Sequence, residues 1–248
     1  MFQLFRQARL FWPTIFAIVS LCILLGLGTW QVERKQWKEG SLAKIAERVK
    51  ATPVPLRELV RRAAAREDIE YVHVVAEGRF LHDKERYLYA PASGGLAWHV
   101  YTPLDLGTGQ IVWVNRGAVP NDRKLPETRA EGLAADAVKV VGLARAQIGK
   151  ALFAPDNDAK QNIWYWPDIP AMTGSAFGAQ ASVPVPFWID ADAEPKPSGG
   201  LPRGGVTRVT LPNRHLEYAI TWYGLALALV GVFLASCVKR LRASSRSS

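Results

Sequence analysis

The sequence is poorest in what most extracellular and catalytic domains rely on. It holds two cysteines in 248 residues, and both Cys22 and Cys237 stand inside uncharged apolar runs. Neither position suits a staple for an extramembrane domain, and no CxxC or CxxxC pair is present for zinc, copper or thiol exchange. The familiar catalytic frames are missing too: there is no GxSxG, HExxH, Walker loop, or GxGxxG opening a helix. "GTG" at Gly107–Gly109 joins two strand-like runs and reads as a hairpin turn. His73, His82 and His99 lie in β-type segments without ligand spacing and read as hydrogen-bonded or surface histidines. Asp156 and Asp158, in "APDNDAK", read as turn residues before they read as an acid pair.

Acidic residues are absent from both ends. Residues 1–11 and 239–248 carry Arg6, Arg9, Lys239, Arg240, Arg242 and Arg246 and no acid, which accounts for most of the formal charge of +9. A basic balance concentrated in tails is an orientation signal and calls for no nucleic-acid partner.

What is there is hydrophobic length. Mean hydropathy sits at zero, but it averages two extremes. Trp12–Trp30 is an uncharged run of 19 residues, and Tyr218–Val238 one of 21. At about 1.5 Å per helical residue they reach roughly 28 and 31 Å, the depth of a bilayer's hydrocarbon layer. Trp12, Trp30, Trp222 and Tyr223 mark their ends as an interfacial belt would. The first run leaves as "LGLGTWQVERK", without a small-x-small cleavage site, and reads as an uncleaved anchor.

The resulting plan is an α+β membrane protein. Residues 1–11 form a cytoplasmic tail, 12–30 a first transmembrane helix, 31–215 a periplasmic β-rich domain, 216–238 a second transmembrane helix, and 239–248 a basic cytoplasmic tail. The positive-inside rule sets that orientation, although Arg34, Lys35 and Lys38 just outside the first run oppose it. A bacterial inner membrane is the expected location, with lipid as one partner.

Past Trp30 the helical pattern continues through Leu42, Ile45, Ala46 and Val49 until "TPVPL" breaks it. A short amphipathic helix follows over Leu56–Arg66. From Tyr71 onward, "YVHVVAEGRF", "ERYLYAP", "AWHVYTPL", "QIVWVNRG", "AVKVVGLA", "NIWYWPD", "PFWID" and "GVTRVTL" predict short strands. Their spacing argues for one mainly antiparallel sheet or a barrel-like domain. "AEPKPSGGLPRGG" at Ala193–Gly205 reads as a loop.

One ionisable group is oddly placed. His215 stands three residues before the second run, in "LPNRHLEYAITWYGLALALVGVFLAS". A helix begun near Asn213 would put His215, Tyr218, Ala219 and Trp222 on one face. Two readings stand. The ring caps or snorkels at the interface, with Asn213 as N-cap and Glu217 at the positive end of the helix dipole; or it is a ligand, neutral imidazole being the commonest protein ligand for haem iron. On the opposite helix Gly26 and Gly28 permit close approach, while Trp30, Arg34 and Trp37 share a face beyond. That arrangement suits a flat macrocycle between tryptophans, with Arg34 or Arg214 on a propionate; it suits plain helix packing equally.

Three blocks, "LGLGTWQVERKQWK", "GLAWHVYTPLDLGTGQIVWVNRGAVP" and "LPNRHLEYAITWYGLALAL", together resemble the surfeit locus (SURF) family of cytochrome c oxidase assembly factors. The resemblance runs from about Leu25 to Leu229 and departs at Ala118, where the family commonly has tryptophan. It implies a non-enzymatic factor that binds haem a and assists its insertion into the catalytic subunit of a haem-copper oxidase, with haem a synthase as a further partner. It also implies His215 as the haem-iron ligand; Trp222 and Tyr223 match the aromatic pair of the same block, and Gly28, Trp30, Gln31 and Arg34 match the first-helix motif, residues that we read as packing, pocket or propionate contacts. The competing expectations are a cofactor-free scaffold for an oxidase subunit and a membrane-anchored periplasmic enzyme.

Overall fold

The computed structural model describes residues 10–92, 95–147, 149–178, 183–207 and 213–245. In chain order the elements are α1 (Phe11–Lys50), β1 (Val54–Pro55), α2 (Leu56–Ala64), β2 (His73–Phe80), β3 (Arg86–Ala92), β4 (Gly95–Asp105), β5 (Gln110–Pro120), β6 (Val138–Ala146), α3 (Ile169–Phe177), β7 (Val183–Ala191) and α4 (His215–Ser245), with short 3-10 turns between several of them. They divide into two compact units, a terminal helix pair and a β domain spanning residues 45–209.

Helix α1 holds no proline after its first turn, so nothing interrupts it for 40 residues. Both α1 and α4 are long and apolar enough to cross a membrane, and only 6% of the apolar window of each is buried. An apolar window with so little protein cover fits a membrane-spanning segment. The covered residues fall in a narrow stripe. On α1, Leu10, Thr14, Ala17, Leu21, Leu24, Gly28 and Gln31 are at least partly buried; on α4, so are His215, Ala219, Trp222, Ala226, Leu229 and Phe233. Spacings of three and four in alternation make each stripe a heptad seam, the pattern of left-handed helix pairs. The helices run antiparallel. Gln31 meets His215 at one end, and at the other Leu10, Pro13 and Ala17 face Leu229, Phe233 and Ser236 around a cavity of about 220 Å³.

In the β domain the strand order is β1-β2-β6-β7-β5-β4-β3, and a further β2–β4 pairing closes the inner five strands into a barrel. Closure depends on the length of β4. Its first half pairs with β3, from Gly95 against Ala92 to Tyr101 against Arg86, and its end pairs with β2 through Leu104 against Phe80 and Asp105 against Arg79. All pairings are antiparallel except β1–β2 and β5–β7. The predicted hairpin at "GTG" is present: Leu106 N–H donates to the Gln110 carbonyl at 3.1 Å.

Strand β5 shows why the sheet has two cores. Ile111, Val112, Trp113 and Val114 are all fully buried, which alternation permits only if both faces are covered. Val112 and Val114 join Val74, Leu104, Phe187 and Ile189 inside the barrel, plugged by Leu56 and Leu59 of α2. Ile111 and Trp113 face outward onto Trp164, Ile169 and Met172. Glu58 braces the polar side of α2, accepting from Arg61 and Arg62.

Two local expectations need correction, and one helix was not foreseen. "NIWYWPD" is no regular strand; it holds single bridges, Leu88 to Trp164 and Asp158 to Ile163, because Trp164 turns inward as a plug for the outer core. Helix α3 follows at once, capped by Asp168, whose carboxylate accepts from Ala171 N–H at 3.1 Å. "GVTRVTL" is not a strand over Gly205–Thr207, and its remainder lies outside the described residues.

Candidate functional site

The N-terminus of α4 is organised by its own sequence. Asn213 Oδ1 accepts from the His215 N–H at 3.5 Å, and Glu217 stands in the first turn, where the helix dipole favours an acid. Asn213, expected as the N-cap, stands one position earlier: the helix starts at His215, and the Arg214 carbonyl accepts its first bond, from Tyr218 N–H at 3.3 Å. The His215 ring is half-buried and turned to α1, where its Nδ1 lies 2.7 Å from Gln31 Oε1. A carbonyl oxygen only accepts, so Nδ1 is the protonated nitrogen in this contact, and in the neutral ring Nε2 carries the lone pair. Among the described residues nothing hydrogen-bonds to that Nε2.

Three residues nearer the start of α1 the helices lock together. Gly28 is buried, and a Cβ there would meet Tyr223 Cε1 at 2.7 Å; the Tyr223 hydroxyl lies 3.2 Å from Thr29 Oγ1. Gly26, expected to share this role, has nothing within 4 Å: it is off the seam, since the heptad stripe passes through residues 24 and 28. Trp222, seven residues beyond His215, shares the seam face and is half-buried. Tyr218, expected on that face, is 55% exposed.

The remaining candidates lie on exposed surface. Trp30 is 53% exposed, and the Arg34 guanidinium sits 4.1 Å from the centroid of the Trp37 ring. No hydrogen bond joins either of them to His215. The structure therefore brings His215 and Tyr223 against α1, leaves Trp222 beside them on the seam, and sets Trp30 and Arg34 apart. Gln31, expected only as a packing or pocket residue, is the one that meets His215; its signal was a place in "LGLGTWQVERK" three residues past Gly28.

The histidines of the β domain are otherwise engaged. His73 bridges the Ala51 carbonyl at 3.0 Å and Asp192 at 2.8 Å. His82 contacts the Ala134 carbonyl at 3.0 Å and Glu85 at 3.4 Å. His99 lies within β4, and burial pushes its pKa down, favouring the neutral ring. No cluster of three or more metal-ligating side chains occurs among the described residues.

Two polar knots are built into the barrel wall. Glu85 is buried and binds Arg129, with Arg116 at 3.5 Å, Thr102 Oγ1 at 3.2 Å and the Tyr87 hydroxyl at 3.3 Å. Burial drives the Glu85 carboxyl pKa up, but contacts from His82 and Arg129 and the charges of Arg129 and Arg116 outweigh it and hold the pKa below 4.5. Burial brings Arg116 down to about 10. The second knot centres on Asp190, which accepts from Asn115 at 2.9 Å, Trp188 Nε1 at 3.0 Å, Arg145 at 3.0 Å and Thr207 at 2.7 Å. Both are satisfied networks that tie strands together.

An imidazole with one nitrogen anchored by a carbonyl and the other free is the donor set that haem iron takes. On that observation His215 fits haem. Arg34 stands at the same end of α1, its guanidinium stacked on the Trp37 ring.

Fold and site together define a protein with one β-barrel unit and one unit of two paired helices of membrane-spanning length. The chain belongs to the SURF1 family, whose model matches residues 18–227. It is 35% identical to the SURF1-like protein of Monosiga brevicollis over 241 residues, 92% of this chain and 88% of that protein. It is 36% identical to Surfeit locus protein 1 of Mus musculus, covering 91% and 76% of the two chains. To Surfeit locus protein 1 of Takifugu rubripes the identity is 33%, covering 92% and 98%.

Proposed function

We propose that the protein is a cytochrome c oxidase assembly factor that binds haem a through His215 and assists its insertion into the catalytic subunit of a haem-copper oxidase. The carrying observation is the placement of the His215 ring: half-buried at a helix mouth, with Nδ1 against Gln31 Oε1, which in the neutral ring leaves the lone pair on Nε2. Haem a, when bound, would supply an iron that such a donor can ligate. The chain's own residues hold and orient that donor, and the apolar, aromatic helix ends around Trp30, Trp222 and Tyr223 favour a flat hydrophobic guest over water. Arg34 is the cation for a propionate. One histidine is a modest grip, which suits a carrier that must release its cargo better than a rigid two-ligand site. The activity is that of a non-enzymatic factor in a bacterial inner membrane, termini cytoplasmic and barrel periplasmic, supplied by haem a synthase.

The test is to purify the protein in detergent from cells that make haem a, beside His215→Ala. A wild-type haem spectrum lost in the variant supports the reading, and an unchanged spectrum overturns it. A second reading, a cofactor-free scaffold for the oxidase subunit, draws on the same Gln31–His215 bond, which pairs the helices whether or not haem binds. Wild-type protein that co-purifies with oxidase yet never contains haem supports that alternative.

A further inference from the structure

We propose that Gln31 is a positioning residue that selects the His215 tautomer and sets how strongly Nε2 donates to iron. The inference rests on the reading of His215 as a haem ligand and deepens it. Free imidazole in water exchanges its proton between the two nitrogens, and only the Nδ1–H form presents Nε2 as a donor. Here the choice is made by an atom 184 residues away in sequence: Gln31 Oε1, at 2.7 Å, accepts from Nδ1–H. The opposing seam holds that atom in place. Both residues are half-buried on their heptad stripes, and the Gly28–Tyr223 contact with the Thr29–Tyr223 hydroxyl pair sets the register of the two helices one turn away.

The type of acceptor matters as much as its position. A carboxylate at position 31 would draw the Nδ1 proton further and push the ring toward imidazolate, a tighter and more electron-rich ligand. A side chain with no acceptor would let the proton move to Nε2 and abolish the lone pair there. The neutral amide lies between these limits: it fixes the tautomer and strengthens the bond to iron less than a carboxylate would, as a carrier that gives up its haem requires.

The experiment uses the full chain in detergent, with wild type, Gln31→Leu, Gln31→Glu and His215→Ala. The first readout needs no haem: ¹⁵N NMR of imidazole-labelled protein, with the His215 signal assigned by its loss in His215→Ala. Wild type is expected as the Nδ1–H tautomer, and Gln31→Leu as a mixture. The second adds iron protoporphyrin IX as the probe and measures affinity, the ferrous iron–histidine stretching frequency and the midpoint potential. Gln31→Leu is expected to bind about 10- to 100-fold more weakly, with a lower frequency and a higher potential; Gln31→Glu is expected to shift both in the opposite directions. Opposite shifts in two variants are not the signature of a folding defect, so a poorly folded Gln31→Leu leaves the test intact through Gln31→Glu. If His215→Ala loses the probe while both Gln31 variants keep the wild-type tautomer, frequency and potential, the positioning role is overturned and His215 stands as ligand. If His215→Ala binds as wild type does, the ligand reading itself falls.

Discussion

The Tyr223 hydroxyl lies 3.2 Å from Thr29 Oγ1, and the same tyrosine ring occupies the space that a side chain on Gly28 would fill. One aromatic residue thus sets both the distance and the register of the two helices of membrane-spanning length. In lipid, where apolar side chains gain nothing by leaving their surroundings, such a close small-to-large contact is what makes a helix pair.

Substitution at the two first-helix glycines is therefore expected to give contrasting results. Gly28→Val should force the Tyr223 ring aside, break its bond with Thr29 and destabilise the helix pair by about 1–3 kcal/mol. Gly26→Ala, with nothing within 4 Å, should be neutral or gain up to about 1 kcal/mol from helix propensity. Unfolding of the full chain in mixed detergent micelles, titrated with dodecyl sulfate, measures both.

Acid should loosen the barrel through Glu85. Its folded pKa is held below 4.5, so its stabilisation is complete above that value and is lost as pH falls through the lower, folded value. Glu85→Gln leaves Arg116 and Arg129 buried without their counter-charge and should cost about 3–5 kcal/mol at neutral pH. The gap between wild type and variant should narrow on acidification below 4.5. Urea midpoints followed by tryptophan fluorescence at neutral and acid pH check both statements.

Asp190 joins three strands, since its donors include Asn115 on β5, Trp188 on β7 and Arg145 on β6. Asp190→Leu strands these buried donors and should destabilise the barrel by about 3–5 kcal/mol. Asp190→Asn keeps one acceptor oxygen but turns an amide toward a cation, so an intermediate loss is expected. Thermal unfolding of the two variants ranks them.

Gly117 has φ of +111°, and a Cβ there would lie 1.8 Å from the Arg203 carbonyl oxygen. Gly117→Ala should cost at least about 3 kcal/mol from strain and clash combined. Gly174, inside α3 with nothing within 4 Å, serves as the control: Gly174→Ala should stabilise by up to about 1 kcal/mol. Protease resistance of the purified proteins distinguishes these outcomes.

Local patterns alone determined the two long helices, the amphipathic α2, six of the seven strands and the "GTG" hairpin, because each follows from periodicity or turn chemistry within a few residues. "NIWYWPD" misled for the same reason: its alternation of large apolar residues is that of a strand, yet Trp164 is spent plugging the outer face of β5. Helix α3 went unread although "DIPA" carries its cap, since a nine-residue apolar segment has no helical stripe strong enough to stand out. Barrel closure and the two buried polar knots depended on contacts that no local pattern encodes. Around the site, the sequence placed His215 at the mouth of a membrane-length helix and marked Gly28 as a close-approach point. Which ring nitrogen bears the proton, that Gln31 holds it, and that Gly26 stands aside were decided only by the antiparallel seam, because a hydrogen bond between residues 184 apart exists only once two helices have chosen their register.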